Sequence, residues 1–406
     1  MFEFGKLISS PSVQERLEFS VRPWDSSASV PSLNALALRS LVRLFDEKEK
    51  LFFQRACLSG GEFRAQAISR KKSVVALLGL QNLARTGAAL PLDISSIRGA
   101  IVTDPRCVES LGELGLLIWL AAEFEPERLE RLFREFNLGE AIENYADGRQ
   151  GRTESLAWFL SGVSRAWLAA PASVSDLMDV AVDAYHLLQD NQGSSGIIGH
   201  ASSARFPFGV FHQRFGTFAD QMHAIHALTM FARAFHIDEP LASALACANA
   251  IRALQGEMGQ WWSLYDRATG RIVNHYPVYS QNQGGLAPLG FMSLREATGQ
   301  DFSGAVDKGL SWIAGENELG ADLRSGERGV IWDSIGPGKG TVNYWEAVAN
   351  LMGGSRAHRT ENLLIRYEVQ PDHFGWMLYA LGSAGLPKDA TARQQTRKLA
   401  ARATHA

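Results

Sequence analysis

The sequence predicts an all-α protein, an (α/α)6-type toroid in which about six helical hairpins close into a ring. Three observations carry that prediction. Apolar residues recur at three- and four-residue spacing along most of the 406-residue chain. A hairpin-sized segment repeats: "LLQDNQGSSGII" and "AIRALQGEMGQW" place Gln192 over Gln255, Gly193 over Gly256 and Gly196 over Gly259, an offset of 63 residues. The connections between periodic segments are long, polar and rich in aromatics. Such loops favour a ring, because a toroid gathers them around one cavity; an open solenoid is the alternative.

Residues 1–70 carry the fewest signals and are set apart as an N-terminal segment. Within them "VRPWDSSASVPSLNALALRSLVRLF" suggests a turn and a helix. The toroid is expected over 71–390. Helices are predicted in "SVVALLGLQNLARTG" (73–87), "SLGELGLLIWLAAEF" (110–124), "RTESLAWFLSGVSRAWLAA" (152–170) and "VSDLMDVAVDAYHLLQDNQG" (174–193). They continue in "FADQMHAIHALTMFARAF" (218–235), "LASALACANAIRALQG" (241–256), "GLAPLGFMSLREATG" (285–299) and "GAVDKGLSWIAGE" (304–316), and "HFGWMLYALGSAG" (373–385) closes the series. Many end in glycine, which adopts the left-handed conformation that terminates a helix. A weaker third copy of the repeat, "LSWIAGENELGA", puts Glu316 and Gly320 in the slots of Gln255 and Gly259, 61 residues on. Convincing strands are few; "GVIWDSI" (329–335) is the clearest. Residues 391–406 read as a flexible tail.

Hydrophobic residues make up 46% of the chain and charged ones 20%, enough apolar material for a core of this size. A formal net charge of −3 supplies no basic field that would draw the protein to nucleic acid. The basic stretches "RKK" (70–72) and "RQQTRK" in the tail read as solvated surface. Cys57, Cys107 and Cys247 are far apart and form no CxxC pair, which suits neither a disulfide framework nor a zinc site. The N-terminus lacks a basic region followed by an apolar one, and the most apolar stretches are too short to span a membrane. A cytoplasmic protein without metal or cofactor is expected.

Gln-x-x-x-Gly-x-Trp, here Gln255, Gly259 and Trp261, resembles the QW motif of terpene cyclases of the squalene–hopene type. The resemblance implies a helix-end lock, with the Gln side chain tying backbone groups and the Trp packing over the turn. The Asp-x-Asp-Asp acid motif of those cyclases has no counterpart here, nor does an Asp-Asp-x-x-Asp diphosphate motif. The residues after position 260 are similar in kind to the active sites of six-hairpin glycosidases and related sugar epimerases and lyases: aromatic platforms among carboxylates, His, Arg and amides. No family-specific catalytic motif matches.

Four clusters carry candidate chemistry. In 260–283, "YDRATGRIV" reads as a turn between extended pieces, capped by Asp266 and Thr269. Around it Trp261, Trp262, Tyr265, His275, Tyr276, Tyr279, Gln281 and Gln283 offer flat faces and amides suited to a polyhydroxylated ring, or else pack the loop. In 215–228, Thr217 caps a helix that carries Asp220 and Gln221 in its first turn, with His223 and His226 along nearly one face. The loop 191–216 adds His200 and Arg205, and also His212 and Arg214, as a rim for anions or sugar hydroxyls. The C-terminal segment contributes Arg366, Tyr367, Glu368, Asp372, His373 and Trp376, and the segments 330–336 and 343–348 add Trp332, Asp333, Tyr344 and Glu346. The His-x-x-His at 223–226 lacks further metal ligands, "GPGKGT" (336–341) lacks the full phosphate-loop pattern, and no G-x-S-x-G elbow occurs.

These clusters point to a carbohydrate-active enzyme of glycosidase, epimerase or lyase type, acting on an oligosaccharide or on an activated or lipid-linked sugar. Hydrolysis needs two carboxyl groups, for which Asp220 and Asp266 are the first pair, with Glu346, Glu368 and Asp372 in reserve. Epimerisation or elimination needs His or Tyr to move a proton, for which His223, His275 and Tyr279 are the candidates. A terpene-cyclase-like enzyme and a non-catalytic helical-repeat scaffold are the rival readings.

Overall fold

Within the described residues the apolar periodicities become helices, and short strands form where the sequence reads as extended, on either side of the turn in 265–273 and within 329–335, and at further places on the same rim. The computed structural model describes residues 30–102, 108–147, 151–170, 177–201, 209–338 and 362–382. The chain enters through α1 (Val30–Leu44), β1 (Phe45–Asp46) and a hairpin of β2 (Leu51–Ser59) and β3 (Glu62–Ile68). There follow α2 (Arg70–Ala84), α3 (Ile94–Val102), α4 (Leu111–Phe124), α5 (Leu129–Glu135), α6 (Leu138–Ala146), α7 (Thr153–Ala169) and α8 (Leu177–Asp190). A short α9 (Gly209–Arg214) leads through β4 (Phe215–Thr217) to α10 (Phe218–Phe235) and α11 (Glu239–Ala253). Strands β5 (Leu264–Asp266), β6 (Ile272–Asn274) and β7 (Val278–Tyr279) precede a π turn (Asn282–Leu286) that opens α12 (Ala287–Thr298), and α13 (Ser303–Ile313) follows. Finally β8 (Arg324–Ser325), β9 (Val330–Ile331), β10 (Ser334–Pro337), β11 (Leu363–Arg366) and β12 (Glu368–Val369) lead to α14 (Pro371–Leu381).

Helices α2, α4, α7, α10, α12 and α14 each pack on the next, and α14 packs back on α2, so an inner ring closes. Outside it lie α1, α3, α6, α8, α11 and α13. The inner helices approach closely: a Cβ on Gly79 of α2 would lie 2.3 Å from the carbonyl oxygen of Gly375 on α14. The described part of the N-terminal segment, whose attachment the sequence leaves open, packs on the ring: α1 lies on α14 and β2 pairs with β12, between the last and first hairpins.

Each inner helix follows an outer one, so their N-termini share one face, where the described parts of the long connections also lie: 45–69, 191–201, 209–217, 254–281, 314–338 and 362–370. Long loops at a crowded face must satisfy their backbone groups, and here they do so by pairing with one another. β4 pairs with β5 and β5 with β6, β10 bridges β7 and β11, and β2 joins β1, β3 and β12. Most of these strands are two to four residues long, too short to show alternation in sequence. The predicted strand 329–335 is split: β9 pairs with β8, whereas β10 joins β7 and β11.

The repeat read from the sequence is a lock between hairpins. Gln255 donates to the carbonyls of Gly259 at 3.0 Å and of Ala305, on α13, at 2.8 Å. Gln192 donates in the same way to Gly196 at 2.9 Å and to Ser243, on α11, at 2.9 Å. Gly259 has φ +93°, and a Cβ there would lie 2.3 Å from the Lys308 carbonyl oxygen, so both its conformation and its packing require glycine. In the third copy Gly320 keeps its positive φ of +57°. The amide lock there comes from Asn317, one residue past the expected Glu316, which donates to the Trp312 and Ala321 carbonyls at 2.8 Å each.

The opposite end is sealed by a buried polar network. Arg165 of α7 donates to Glu123 of α4 at 2.5 Å and to the Tyr379 hydroxyl of α14 at 2.9 Å, and Tyr379 donates to Glu123. Trp119 donates to Glu123 at 2.9 Å and lies beneath the Arg165 guanidinium. Among the described residues no helix is long and apolar enough to cross a membrane. The expected tail lies outside the described residues.

Candidate active site

Four inner helices deliver their first turns to the loop-covered face. Thr217 caps α10: its hydroxyl accepts from the Asp220 backbone N–H at 3.2 Å, and Asp220 Oδ2 accepts from Thr217 N at 2.8 Å and Thr217 Oγ1 at 2.6 Å. The same Oδ2 lies 2.9 Å from His200 Nδ1. Asp220 raises the basicity of His200 above the ordinary imidazole range, against the opposing effect of burial. His200 is held by its own loop. Thr153 donates its hydroxyl to Gly199 O at 2.6 Å, and fully buried Gln221 accepts from Ile198 N and donates to Ile198 O at 2.8 and 2.7 Å. Gln221 therefore fastens the loop and is not presented to a substrate.

The first turn of α7 supplies a residue that the sequence reading passed over. Glu154 lies 3.7 Å from His223 Nε2, with 28% of its side chain exposed. Burial, opposed by Lys71 and reinforced by the charges of Asp220 and Asp372, raises its carboxyl above the usual range. The only signal for it was an acid in a first helical turn, which is most often a cap or a dipole partner.

His223 is buried, and burial pushes its basicity down to about 3, so the ring is neutral near pH 7. Its Nδ1 accepts from the Trp158 indole N–H at 3.1 Å. Because an indole only donates, the neutral ring must carry its proton on Nε2, facing Glu154. His223 is thus a donor here, not the base expected beside Asp220. His226, one turn further in, stacks on Trp119 and lies 3.3 Å from Arg165, so it belongs to the sealed end. Trp158 and Trp376, both buried, lie 6.2 Å apart with His223 edge-on to both.

α14 and α2 complete the ring of charges. Lys72 pairs with Asp372 at 2.9 Å and donates to Gln370. Burial opposes ionisation of Asp372, yet Lys72 and His373 hold it below the ordinary carboxylate range. His373 Nδ1 lies 3.3 Å from Asp333 Oδ1, which also accepts from Gln370 at 3.0 Å, while Ser334 donates to Oδ2 at 2.9 Å. Burial lowers His373 despite both aspartates. Tyr279 on β7 is pushed up to about 12 by burial and Asp333. The "RKK" run expected on the surface is instead half-buried in the first turn of α2.

Other expected site residues are placed elsewhere. Asp266 is fully buried and holds its own turn, accepting from Ala268 N at 2.9 Å and from Arg214 at 3.0 Å, so it does not face Asp220 as a second acid. Trp261 is buried between Phe218 and Phe291, and Tyr265 is buried in the same core. Gln283 locks the repeat turn, donating to Gly259 O at 3.0 Å and accepting from Trp261 N at 3.1 Å. Trp262, His275 and Tyr276 form a rim cluster in which Tyr276 donates to Glu318 at 2.9 Å. Gln281 stands at the entry to the π turn. Trp332 stacks on Phe63 with Tyr367 against its edge, Glu368 pairs with Arg55, and Arg366 ends β11. Arg205, Tyr344 and Glu346 lie outside the described residues. Among the described residues no group of three His, Cys, Asp or Glu side chains could hold a metal ion.

No family model matches the chain, and no curated protein does. Solved structures do. A sugar epimerase from a ruminal bacterium superposes with TM-score 0.55 at 11% identity, covering 90% of this chain and 98% of its own. A cellobiose 2-epimerase from Bacillus thermoamylovorans gives 0.56 at 11%, covering 87% and 98%. An unsaturated glucuronyl hydrolase from Streptococcus agalactiae gives 0.54 at 12%, covering 92% and 96%. At such identities the likeness concerns architecture: the chain has the α/α-toroid fold that these proteins share.

Proposed function

We propose that the protein is a carbohydrate-active enzyme that hydrolyses a glycosidic bond, with Glu154 as proton donor and Asp220 as its ionised partner. The carrying observation is that two carboxyl groups on adjacent inner helices have opposite surroundings. Burial, opposed by Lys71 and reinforced by the charges of Asp220 and Asp372, raises the Glu154 carboxyl and favours its protonated form, whereas Thr217 donates to the Asp220 carboxylate and His200 lies 2.9 Å from it. One acid protonated and one ionised is the requirement of glycoside hydrolysis, and divergent environments are how a protein meets it. His223 donates from Nε2 to substrate oxygen or to Glu154. The sugar-active proteins of the same fold support this reading. The terpene-cyclase alternative is weakened because the site is ringed by paired charges rather than by aromatics alone.

The test is release of reducing ends from a panel of oligosaccharides and aryl glycosides. Glu154→Gln and Asp220→Asn should each lower turnover by a factor on the order of 10² or more, with melting temperatures little changed. Full activity of Glu154→Gln removes the assignment. Uptake of solvent deuterium at C2 of a reducing sugar, with no new reducing ends, would assign epimerisation instead.

A further inference from the structure

One loop ties the helix of Glu154 to the carboxylate of Asp220. α7 carries Glu154 at its second position and begins after Arg152, whose side chain makes no cap. Helix N-termini leave backbone N–H groups without partners inside the helix. Here the loop satisfies one of them: Thr153 N donates to His200 O at 2.9 Å, and Arg152 forms an antiparallel bridge with Ala201. Two buried polar side chains, Thr153 and Asn191, reinforce this contact. The Thr153 hydroxyl donates to Gly199 O at 2.6 Å and accepts from Asn191 Nδ2 at 2.6 Å, and Nδ2 also donates to Gly199 O, at 2.7 Å. Gly199 N returns a bond to Asn191 O at 3.1 Å. The fit is close, since a Cβ on Gly199 would lie 2.2 Å from Gln213 O and 2.8 Å from Asn191 Oδ1. The next residue of the same segment brings His200 Nδ1 to 2.9 Å from Asp220 Oδ2. Valine has nearly the shape of threonine, so packing does not account for the hydroxyl; a buried hydroxyl is tolerated because its bonds are made.

We propose that Thr153 and Asn191 are positioning residues, which fix the Glu154 carboxyl relative to Asp220 by way of Gly199 and His200. The proposal rests on the assignment of Glu154 and Asp220 above. Both residues are buried and act only through the loop. Thr153 directly precedes Glu154, so slack in its bonds displaces the acid, and His200 carries the same slack to Asp220. Two groups on separate helices must keep their spacing to act on one bond, and a misplacement of about 1 Å costs on the order of 10²-fold. The node joins α7 to the segment that leads into α10, at the face where both helices begin.

The experiment uses the full chain with Thr153→Val, Thr153→Ser and Asn191→Ala, and reads turnover, melting temperature and the NMR titration of the His200 imidazole. Thr153→Val should lower kcat by about tenfold or more with KM changed less than about threefold, and Thr153→Ser should restore kcat to within about threefold of wild type. Asp220 raises the basicity of His200, so a loosened segment should let its titration fall toward the ordinary imidazole range. That fall is expected in Thr153→Val and Asn191→Ala and not in Thr153→Ser. Arg152, Glu154 and His212 also face this imidazole and are unchanged in all three variants. Asn191→Ala carries the same expectations for kcat and KM, so the test stands even if Thr153→Val does not fold. A folded Thr153→Val with wild-type kcat and an unmoved titration overturns the proposal. So does a rise in KM at constant kcat, or a Thr153→Ser that behaves like the valine variant. If no glycoside of the panel is turned over, the carbohydrate reading fails by itself; a His200 titration unmoved in the folded variants then overturns the positioning role separately.

Discussion

Glu154 and Asp220 sit in the first turns of neighbouring inner helices, and only their neighbours distinguish an acid from a base. With its carboxyl raised by burial and nearby charge, Glu154 should set the alkaline limb of activity, losing the catalytic proton as pH rises. A pH–rate profile of Glu154→Gln should keep whatever activity remains but lose that limb. His223 also bears on stability. Unfolded, its imidazole takes up a proton below about 6.5, whereas the folded ring resists protonation until about 3. The unfolded state therefore binds more protons between these values, so the contribution is complete above about 6.5 and is lost as pH falls toward 3. The loss should reach a few kcal/mol at the acid end. Melting temperatures of His223→Gln measured from pH 7 to pH 4 should fall less steeply than those of the wild type. Asp220 was legible in the sequence because a capping residue precedes it. Glu154 was not, because its role depends on charges that arrive from α10 and α14.

At the scale of single elements, the Gln–Gly turns show how far a pattern can be trusted. Gln192 and Gln255 make the same two bonds, one within the turn and one to the next outer helix. Each Gln→Ala substitution removes two hydrogen bonds at a packed helix end, so unfolding free energy should drop by about 1–3 kcal/mol in denaturant titrations, with turnover per folded molecule unchanged. Loss of activity at unchanged stability would place these residues in the site instead. The third copy shows the limit of the pattern. Matching by residue type selected Glu316, yet an amide donor is what the turn requires, and Asn317 provides it from the next position. The same limit applies to the aromatic segment after 260, where Trp261 and Tyr265 looked like platforms but fill the core.

The whole molecule is a ring held at both ends by different means. Strand pairing between successive loops secures the open face, and the Glu123–Arg165–Tyr379 network ties three inner helices at the sealed end. Burial disfavours charge on both Glu123 and Arg165, but their mutual attraction and the Tyr379 hydrogen bonds overcome it, holding Glu123 below and Arg165 above their ordinary ranges. Removing Arg165 leaves Glu123 enclosed with only the more exposed Arg85, 3.3 Å away, as a cationic partner. Arg165→Met should therefore lower stability by about 3–5 kcal/mol, and the double variant with Glu123→Gln should lose less than the sum of the two single changes. Thermal melting of the two single variants and the double variant checks this; strict additivity would mean that the network does not act as a unit.

The sequence by itself determined the helices, the hairpin repeat and hence the toroid, because these rest on local periodicity and on turn residues whose partners lie nearby. It also marked the stretch from Asp220 to His223 as chemically dense. Only the tertiary structure decided which polar residues meet: it brought the charges of Lys71, His200 and Asp220 to Glu154 and turned Asp266, Gln221 and Gln283 into fastenings. The rim strands were likewise decided there, since segments of two or three residues become strands only when a neighbouring loop supplies their hydrogen bonds. The physical reason is the same in each case. Local pattern encodes which face of an element is apolar, whereas the charge, burial and tautomer of a site residue are set by groups far away in the chain.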